Sequence, residues 1–375
     1  HMVLHKDCAA NLSTYREREK GDPTMTLTIN TNISSLITQR NLNNATNSLN
    51  KSIERMTTGY KINQAKDNAA GYSISNMWET QIGTLDVAAD NAATGADLLT
   101  TAEQSYGLLT DHLQRIRDLT EQAANGTYGS SSLKAIQSEV YARLQEIDRI
   151  AANSEFNGIK LMSYISDGKP AGTGLTSNGI NLQVGLYADS NSVINLDSSL
   201  FSSAKVSGLF NAKMASTTSY TLDDKGDKVA HTVTLDQALK AGGGSVAALN
   251  TQDGLRAFAA VCSGLKYDST KETYSLLSDK TSDFGASVML GFIDNAMDEI
   301  SRRTTAIGAA QNRVESAVTA IDVQSQNLTS SLSTLRDTDV ASESSNYIQA
   351  QILQQASATL LATANQTPSI ALNLI

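Results

Sequence analysis

The chain is poor in the residues that interrupt, cross-link or catalyse. It has three prolines in 375 residues, at 23, 170 and 368. Two long stretches, 24–169 and 171–367, are therefore free of the strongest helix breaker. Its two cysteines, Cys8 and Cys262, make neither a disulfide framework nor a metal cluster. Cys262 is expected to be a small buried hydrophobe. Aromatics are 5% and charged residues 18% of the chain, while Asn, Gln, Ser and Thr are abundant. Contacts between copies would rest on apolar packing and amide or hydroxyl hydrogen bonds rather than on ion pairs. No run approaches the ~18 apolar residues of a membrane span. A net charge of -9 and a pI near 5.0 argue against nucleic acid as a partner.

Catalytic patterns are also missing. Of four histidines, His1 and His5 lie in the polar N-terminal stretch. His112 reads as a solvated helix residue, and His231 has no ligand-type neighbour. There is no His-Glu-x-x-His stretch and no Gly-x-Ser-x-Gly elbow. Gly242–Gly244 lacks the following Lys-Ser/Thr of a phosphate loop and reads as a turn before a helix. The sequence thus argues against an enzyme and offers no cofactor or metal site. Residues 1–24 are polar and charged, with no apolar core, so they do not form a secretory signal. They read as a tag or upstream extension, with Met25 as the native start. Export would then use a route without a cleaved leader.

What is present is a seven-residue period. Ile293, Ile300, Ile307, Val314, Ile321, Leu328 and Leu335 stand seven apart. Such a row keeps one seam facing a partner helix. A matching row of four- and three-residue steps runs through Trp78, Ile82, Leu85, Ala89, Ala92, Ala96 and Leu99, then Tyr106, Leu109, Leu113 and Ile116. The rows, over about 73–124 and 286–336, are similar in length. They predict an intramolecular, antiparallel coiled coil.

Around this pair the chain reads as helical, then mixed, then helical. Ile33, Leu36, Ile37, Leu42, Ala45, Leu49, Ile53, Met56 and Tyr60 predict a first helix. Leu133, Ile136, Val140, Leu144, Ile147 and Ile150 predict a third, with Ser132 as its cap. The middle, 163–282, holds 12 of the 24 glycines. Its segments 180–184, 220–222 and 231–235 read as strands, with a helix near 245–265. A last amphipathic helix over 340–364 carries Tyr347, Ile348, Ile352, Ala356 and Leu360 and should end at Pro368. The tail Ile370, Leu372, Leu374 and Ile375 is apolar and alternating.

These segments carry a family resemblance. Residues 29–32 (Ile-Asn-Thr-Asn), 53–63 (Ile-Glu-Arg-Met-Thr-Thr-Gly-Tyr-Lys-Ile-Asn) and 65–71 (Ala-Lys-Asp-Asn-Ala-Ala-Gly) resemble the N-terminal region of bacterial flagellins. So do 113–119 (Leu-Gln-Arg-Ile-Arg-Asp-Leu), 122–126, 146–149 and 156–158. Residues 309–313 (Ala-Ala-Gln-Asn-Arg) and 350–356 (Ala-Gln-Ile-Leu-Gln-Gln-Ala) resemble the C-terminal region. The likeness covers roughly 25–165 and 284–370, and weakly 180–185, and does not extend over 203–282. Two features depart from the family pattern: the 24 residues before Met25, and the ending Asn-Leu-Ile.

The resemblance implies a mainly α fold with a β-rich insertion, in which both chain ends build a long antiparallel coiled-coil rod and the middle faces outward. It divides the chain into 1–24, an inner-core helix at 25–66, a rod part at 67–202, a variable outer domain at 203–282, a rod helix at 283–337 and a second inner-core helix at 338–375. The subunit would polymerise with itself into a helical, extracellular filament for motility. Ile33, Leu36, Leu42, Leu49, Ile53, Ile348, Ile352 and Leu360 would form the filament core, since their faces have no obvious partner within the chain. Such ends would be disordered in the monomer and fold on assembly. An export chaperone and a cap protein are implied as partners. Gln114, Arg115, Leu119 and Glu139 match the rod surface that host Toll-like receptor 5 recognises in many flagellins. Two other classes remain open: a hook–filament junction protein, and a surface adhesin using Tyr220, Tyr267 and Tyr274 of the 203–282 region.

Overall fold

A computed structural model of the chain describes residues 32–162, 179–187, 189–210, 217–222, 228–276 and 285–372. The side chains of 217–222, 228–231 and 367–372 lie outside the description. The expectations for residues 1–24, for Tyr220 and for the apolar tail therefore fall outside it. The chain divides into two compact units, residues 1–77 with 331–375, and residues 78–330. This division is coarser than the six segments expected from the resemblance.

Helix α1 spans Ile33–Thr58 and α2 spans Ala69–Ala124. Helix α3 runs over Ser130–Asn153, α7 over Ala286–Arg336 and α8 over Val340–Leu372. The ends have local causes. Asn32 caps α1 by accepting from the Ser35 amide at 3.0 Å, and Gly59 closes it with φ +76, a left-handed turn that glycine adopts without strain. The Asn68 side chain accepts from the Gly71 amide at 3.0 Å, which starts α2 four residues earlier than its apolar row suggests. Ser132 does not cap α3; the helix begins at Ser130 after Gly129, which makes no side-chain cap bond. Pro368 does not end α8, which continues to Leu372.

In the 78–330 unit the seven-residue seam is the core. Ile293, Ile300, Ile307, Val314 and Ile321 are all buried, and Leu328 is half-buried. Leu335 belongs to the other unit and is half-buried there. From α2, Leu85, Ala92, Leu99, Tyr106 and Leu113 answer in the same period, all fully buried. The helices run antiparallel: Arg117 Nε meets Asp294 at 2.7 Å, and Gln311 Nε2 donates to Glu103 at 2.9 Å. Helix α3 adds Leu133, Ile136, Val140, Leu144, Ile147 and Ala151 to the same core.

The mixed middle docks onto these helices. Strands β1 (Glu155–Phe156) and β2 (Ile159–Lys160) form one short hairpin. Strands β3 (Ile180–Gln183) and β4 (Val193–Leu196) pair antiparallel, Ile180 opposite Leu196. Gly95 lets that hairpin approach α2, because a Cβ there would lie 2.4 Å from Leu182. The buried Tyr106 hydroxyl donates to the Leu200 carbonyl at 2.9 Å, and Arg303 donates to the Ser202 carbonyl at 3.1 Å. Asp148 accepts from the Val206 amide at 2.8 Å at the start of the short helix α4 (Val206–Leu209).

Strands β5 (Thr217–Leu222) and β6 (Lys228–Val233) pair next. Helix α5 (Leu235–Ala241) follows directly, so the strand expected over 231–235 ends at Val233 and Leu235 is already helical. A capping box between Thr234 and Gln237 starts it. At the following turn Gly243 has φ +88, and a Cβ there would meet the Tyr267 carbonyl at 2.1 Å. Helix α6 (Gln252–Cys262) packs on α3, and strands β7 (Leu265–Asp268) and β8 (Thr273–Leu276) complete the region. The described residues of 203–282 thus share one apolar cluster with the helices, through Phe210, Leu239, Phe258 and Tyr267.

The seam predicts a graded response. Ile300→Ala, at a fully buried position, should cost about 2–5 kcal/mol in denaturant unfolding, whereas Leu328→Ala should cost clearly less. Equal losses would show that the seam is not what holds the unit together.

Candidate functional site: two surfaces

The terminal unit pairs α1 with α8, antiparallel. Asn32 Nδ2 donates to the Ala364 carbonyl at 2.7 Å. Gln354 Nε2 donates to Thr46 Oγ1 at 3.2 Å, and Arg55 faces Glu343 at 3.6 Å. The sequence leaves the apolar faces without an expected partner within the chain; the two helices do pair with each other, but through a different face. The buried contact stripe is Ala45 and Ser52 on α1, with Glu343, Ala350 and Ser357 on α8. The large apolar residues point away from it. Ile33, Leu36, Ile53, Ile348, Ile352 and Leu360 are 44–61% exposed. Leu42 and Leu49 are half-buried. A groove of about 730 Å³ runs along the pair, lined by Asn44, Ser48, Lys51, Asn346 and Gln349 among others.

The family motif at 53–71 builds the joint after α1. The Tyr60 and Asp337 backbones bridge antiparallel. Lys61 N donates to the Arg336 carbonyl at 2.6 Å, and Thr338 N to the Gly59 carbonyl at 2.8 Å. The Arg336 guanidinium lies 4.0 Å over the Tyr60 ring. Asp67 pairs with Lys51 at 3.1 Å and accepts from the amides of Asn63 and Gln64. These partners, Lys51 first, hold its carboxyl below the usual range. Glu54 accepts from the side chains of Asn63 at 2.6 Å and Gln64 at 3.0 Å. Gly71 is needed where α2 starts, because a Cβ there would lie 2.7 Å from Ile62. The motif is therefore a clamped corner.

The second surface lies on α2 and α3 of the 78–330 unit. Arg115 Nε meets Glu139 Oε1 at 2.9 Å, and its Nη2 reaches Oε2 at 3.4 Å. Arg143 lies 3.7 Å from the same carboxylate. Gln114 is exposed beside them. The Glu139 carboxylate raises the Arg115 pKa, which keeps the guanidinium charged. The pair is open to solvent and contributes little to stability, so it is free to exchange partners. Leu119 departs from the expectation. It is 3% exposed and belongs to the core, because it lies on the α2 face that also carries Ile116.

The middle aromatics are engaged within the chain. Tyr267 is buried, and its hydroxyl donates to Asp253 at 3.1 Å. Its ring lies 5.2 Å from that of Tyr274, whose hydroxyl accepts from Gln137 at 3.1 Å. Arg143 donates to His112 Nδ1 at 3.3 Å. Cys262 is buried, and burial pushes its thiol up to about 12. Among the described residues no group of three His, Cys, Asp or Glu is placed to hold a metal, and no helix is long and apolar enough to cross a membrane.

Sequence reasoning missed the small-residue stripe and Asn32. The signal was present: Ala45 and Ser52 are seven apart, as are Glu343, Ala350 and Ser357. An apolar search passes over such a row.

Comparison with known proteins places these surfaces in a family. Residues 29–167 match the bacterial flagellin N-terminal helical region, and residues 290–375 match the bacterial flagellin C-terminal helical region. Polar flagellin F of Vibrio parahaemolyticus is 34% identical, with 94% of this chain and all of that protein covered. Flagellin B of Vibrio anguillarum and flagellin B of Vibrio cholerae are each 33% identical over the same shares. The paired terminal helices and the antiparallel seam between the two matched regions are thus those of a filament subunit, and the chain belongs to the bacterial flagellin family.

Proposed function

We propose that subunits join through the outward apolar rows of α1 and α8. One observation carries this reading: the two helices meet through Ala and Ser, while Ile33, Leu36, Ile53, Ile348, Ile352 and Leu360 stay exposed. A contiguous exposed apolar surface marks an interaction site. Fully burying one such side chain stabilises by about 1.5–3 kcal/mol, so a neighbouring subunit covering the row gains substantially. Head-to-tail contacts of this kind generate helical filaments when the rotation does not close. The terminal segments gain their order on assembly and travel unfolded through export, escorted by a chaperone. A cap protein guides their addition at the growing end.

The exposed Gln114, Arg115 and Glu139 form, on this reading, the patch that host Toll-like receptor 5 engages. An arginine with a bidentate carboxylate partner and neighbouring apolar residues makes a suitable anchor. Leu119 contributes by holding α2 in place, not by contact.

Deleting residues 340–375 is expected to abolish filaments in electron micrographs while the 78–330 unit keeps its cooperative thermal transition. Filaments from the truncated chain would rule out the assembly reading. Arg115→Ala should lower receptor signalling by roughly tenfold, the effect of about 1.4 kcal/mol at an interface anchor. Signalling equal to that of the unaltered protein would remove Arg115 from the receptor surface.

A further inference from the structure

Pro368 lies inside α8, which continues to Leu372. Proline has no N–H, so the carbonyl four residues earlier loses its helical donor. That carbonyl is Ala364. The missing bond is supplied from the other helix: Asn32 Nδ2 donates to Ala364 O at 2.7 Å. The same side chain caps α1, its Oδ1 accepting from the Ser35 amide at 3.0 Å. One amide therefore completes the start of α1 and the gap in α8 together. Beside it Ser35 Oγ donates to Asn365 Oδ1 at 2.8 Å.

Apart from the Arg55–Glu343 and Gln354–Thr46 contacts, the rest of the α1–α8 contact discriminates register poorly. Its buried residues are Ala45 and Ser52 against Glu343, Ala350 and Ser357, spaced seven apart on each helix. Sliding one helix by a heptad would again set Ala and Ser against Ala and Ser, and among these buried residues only Glu343, taken from Arg55, would resist it. A single polar residue in such a seam is the usual device for choosing among registers. A slipped pair would leave the Ala364 carbonyl without a donor and Asn32 without an acceptor.

We propose that Asn32 is the positioning residue that sets the register of α1 against α8, by donating to the carbonyl that Pro368 leaves free. It thereby aligns the outward apolar rows that a neighbouring subunit must meet. This rests on the assembly reading given above.

Asp and Ser cap helices as well as Asn does, but neither carries the amide donor. Asn32→Asp and Asn32→Ser in the full chain therefore keep the cap and remove the cross-helix bond. Each should raise the critical concentration for polymerisation, measured by sedimentation, roughly tenfold, the scale of one hydrogen bond plus one buried group left unpaired. Pro368→Ala returns an N–H to position 368 and frees Ala364 from its need of Asn32. In that background the same substitutions should change the critical concentration less than about twofold. Amide exchange of residues 360–367 in the same chains should accelerate only when Pro368 is present. Two results would overturn the proposal: Asn32→Asp assembling like the unaltered chain, or losing as much in the Pro368→Ala background as with the proline in place. If the chain lacking 340–375 still polymerises, the assembly reading fails instead, and the exchange measurement alone decides the role of Asn32.

Discussion

The structure depends on one geometric constraint: a side chain recurring every seven residues returns to the same face of a helix. Two helix pairs use it with opposite contents. In the 78–330 unit the recurring face carries Ile293, Ile300, Ile307, Val314 and Ile321 against Leu85, Leu99, Tyr106 and Leu113, and all are buried. In the terminal unit the face between α1 and α8 carries Ala45, Ser52, Ala350 and Ser357. Large branched residues remove much apolar surface from water when they meet. Small ones remove little and let the helices approach closely. The first pair is a self-sufficient core. The second holds its shape while leaving its large apolar residues outside.

That difference divides stability from function. A protein gains most by burying Ile, Leu and Tyr within itself, and the 78–330 unit does so. A filament subunit must also keep apolar surface in reserve for its neighbours. The terminal pair supplies it, with Ile348, Ile352 and Leu360 outward on α8 and Ile33, Leu36 and Ile53 outward on α1. The polar groups of the pair then carry the burden of specificity. Hydrogen bonds of Asn32, Ser35 and Gln354 and the Arg55–Glu343 contact are directional, whereas contacts among Ala and Ser are nearly interchangeable.

The middle of the chain is likewise positioned by a small set of polar groups. Its segments are fixed to the helices by a few bonds: Tyr106 to Leu200, Arg303 to Ser202 and Asp148 to Val206. Around them Phe210, Phe258 and Tyr267 join the helical core. Tyr267 and Tyr274 serve that packing, each with its hydroxyl hydrogen-bonded inside the chain. The described part of this region is folded onto α3 through α6.

The long helices, the antiparallel seam and the family motifs were legible in the sequence because each depends on local spacing. Period and the absence of proline fix which face of α7 is apolar, and the residues of α3 recur at helical steps. Other features were not legible because their causes are distant in sequence. Leu119 reads as a surface residue within its motif, but the fold turns that face inward beside Ile116. Pro368 reads as a helix end, but Asn32, 332 residues from the carbonyl it serves, replaces the bond that the proline removes. The rows at 33–60 and 340–364 read as unpartnered, because the stripe that joins them is made of residues too small and polar to register as a contact face. By itself the sequence determined the helices, their period and the family, since these follow from neighbours along the chain. Only the tertiary structure decided which faces are closed within the subunit and which remain open, since burial is set by residues that meet across hundreds of positions.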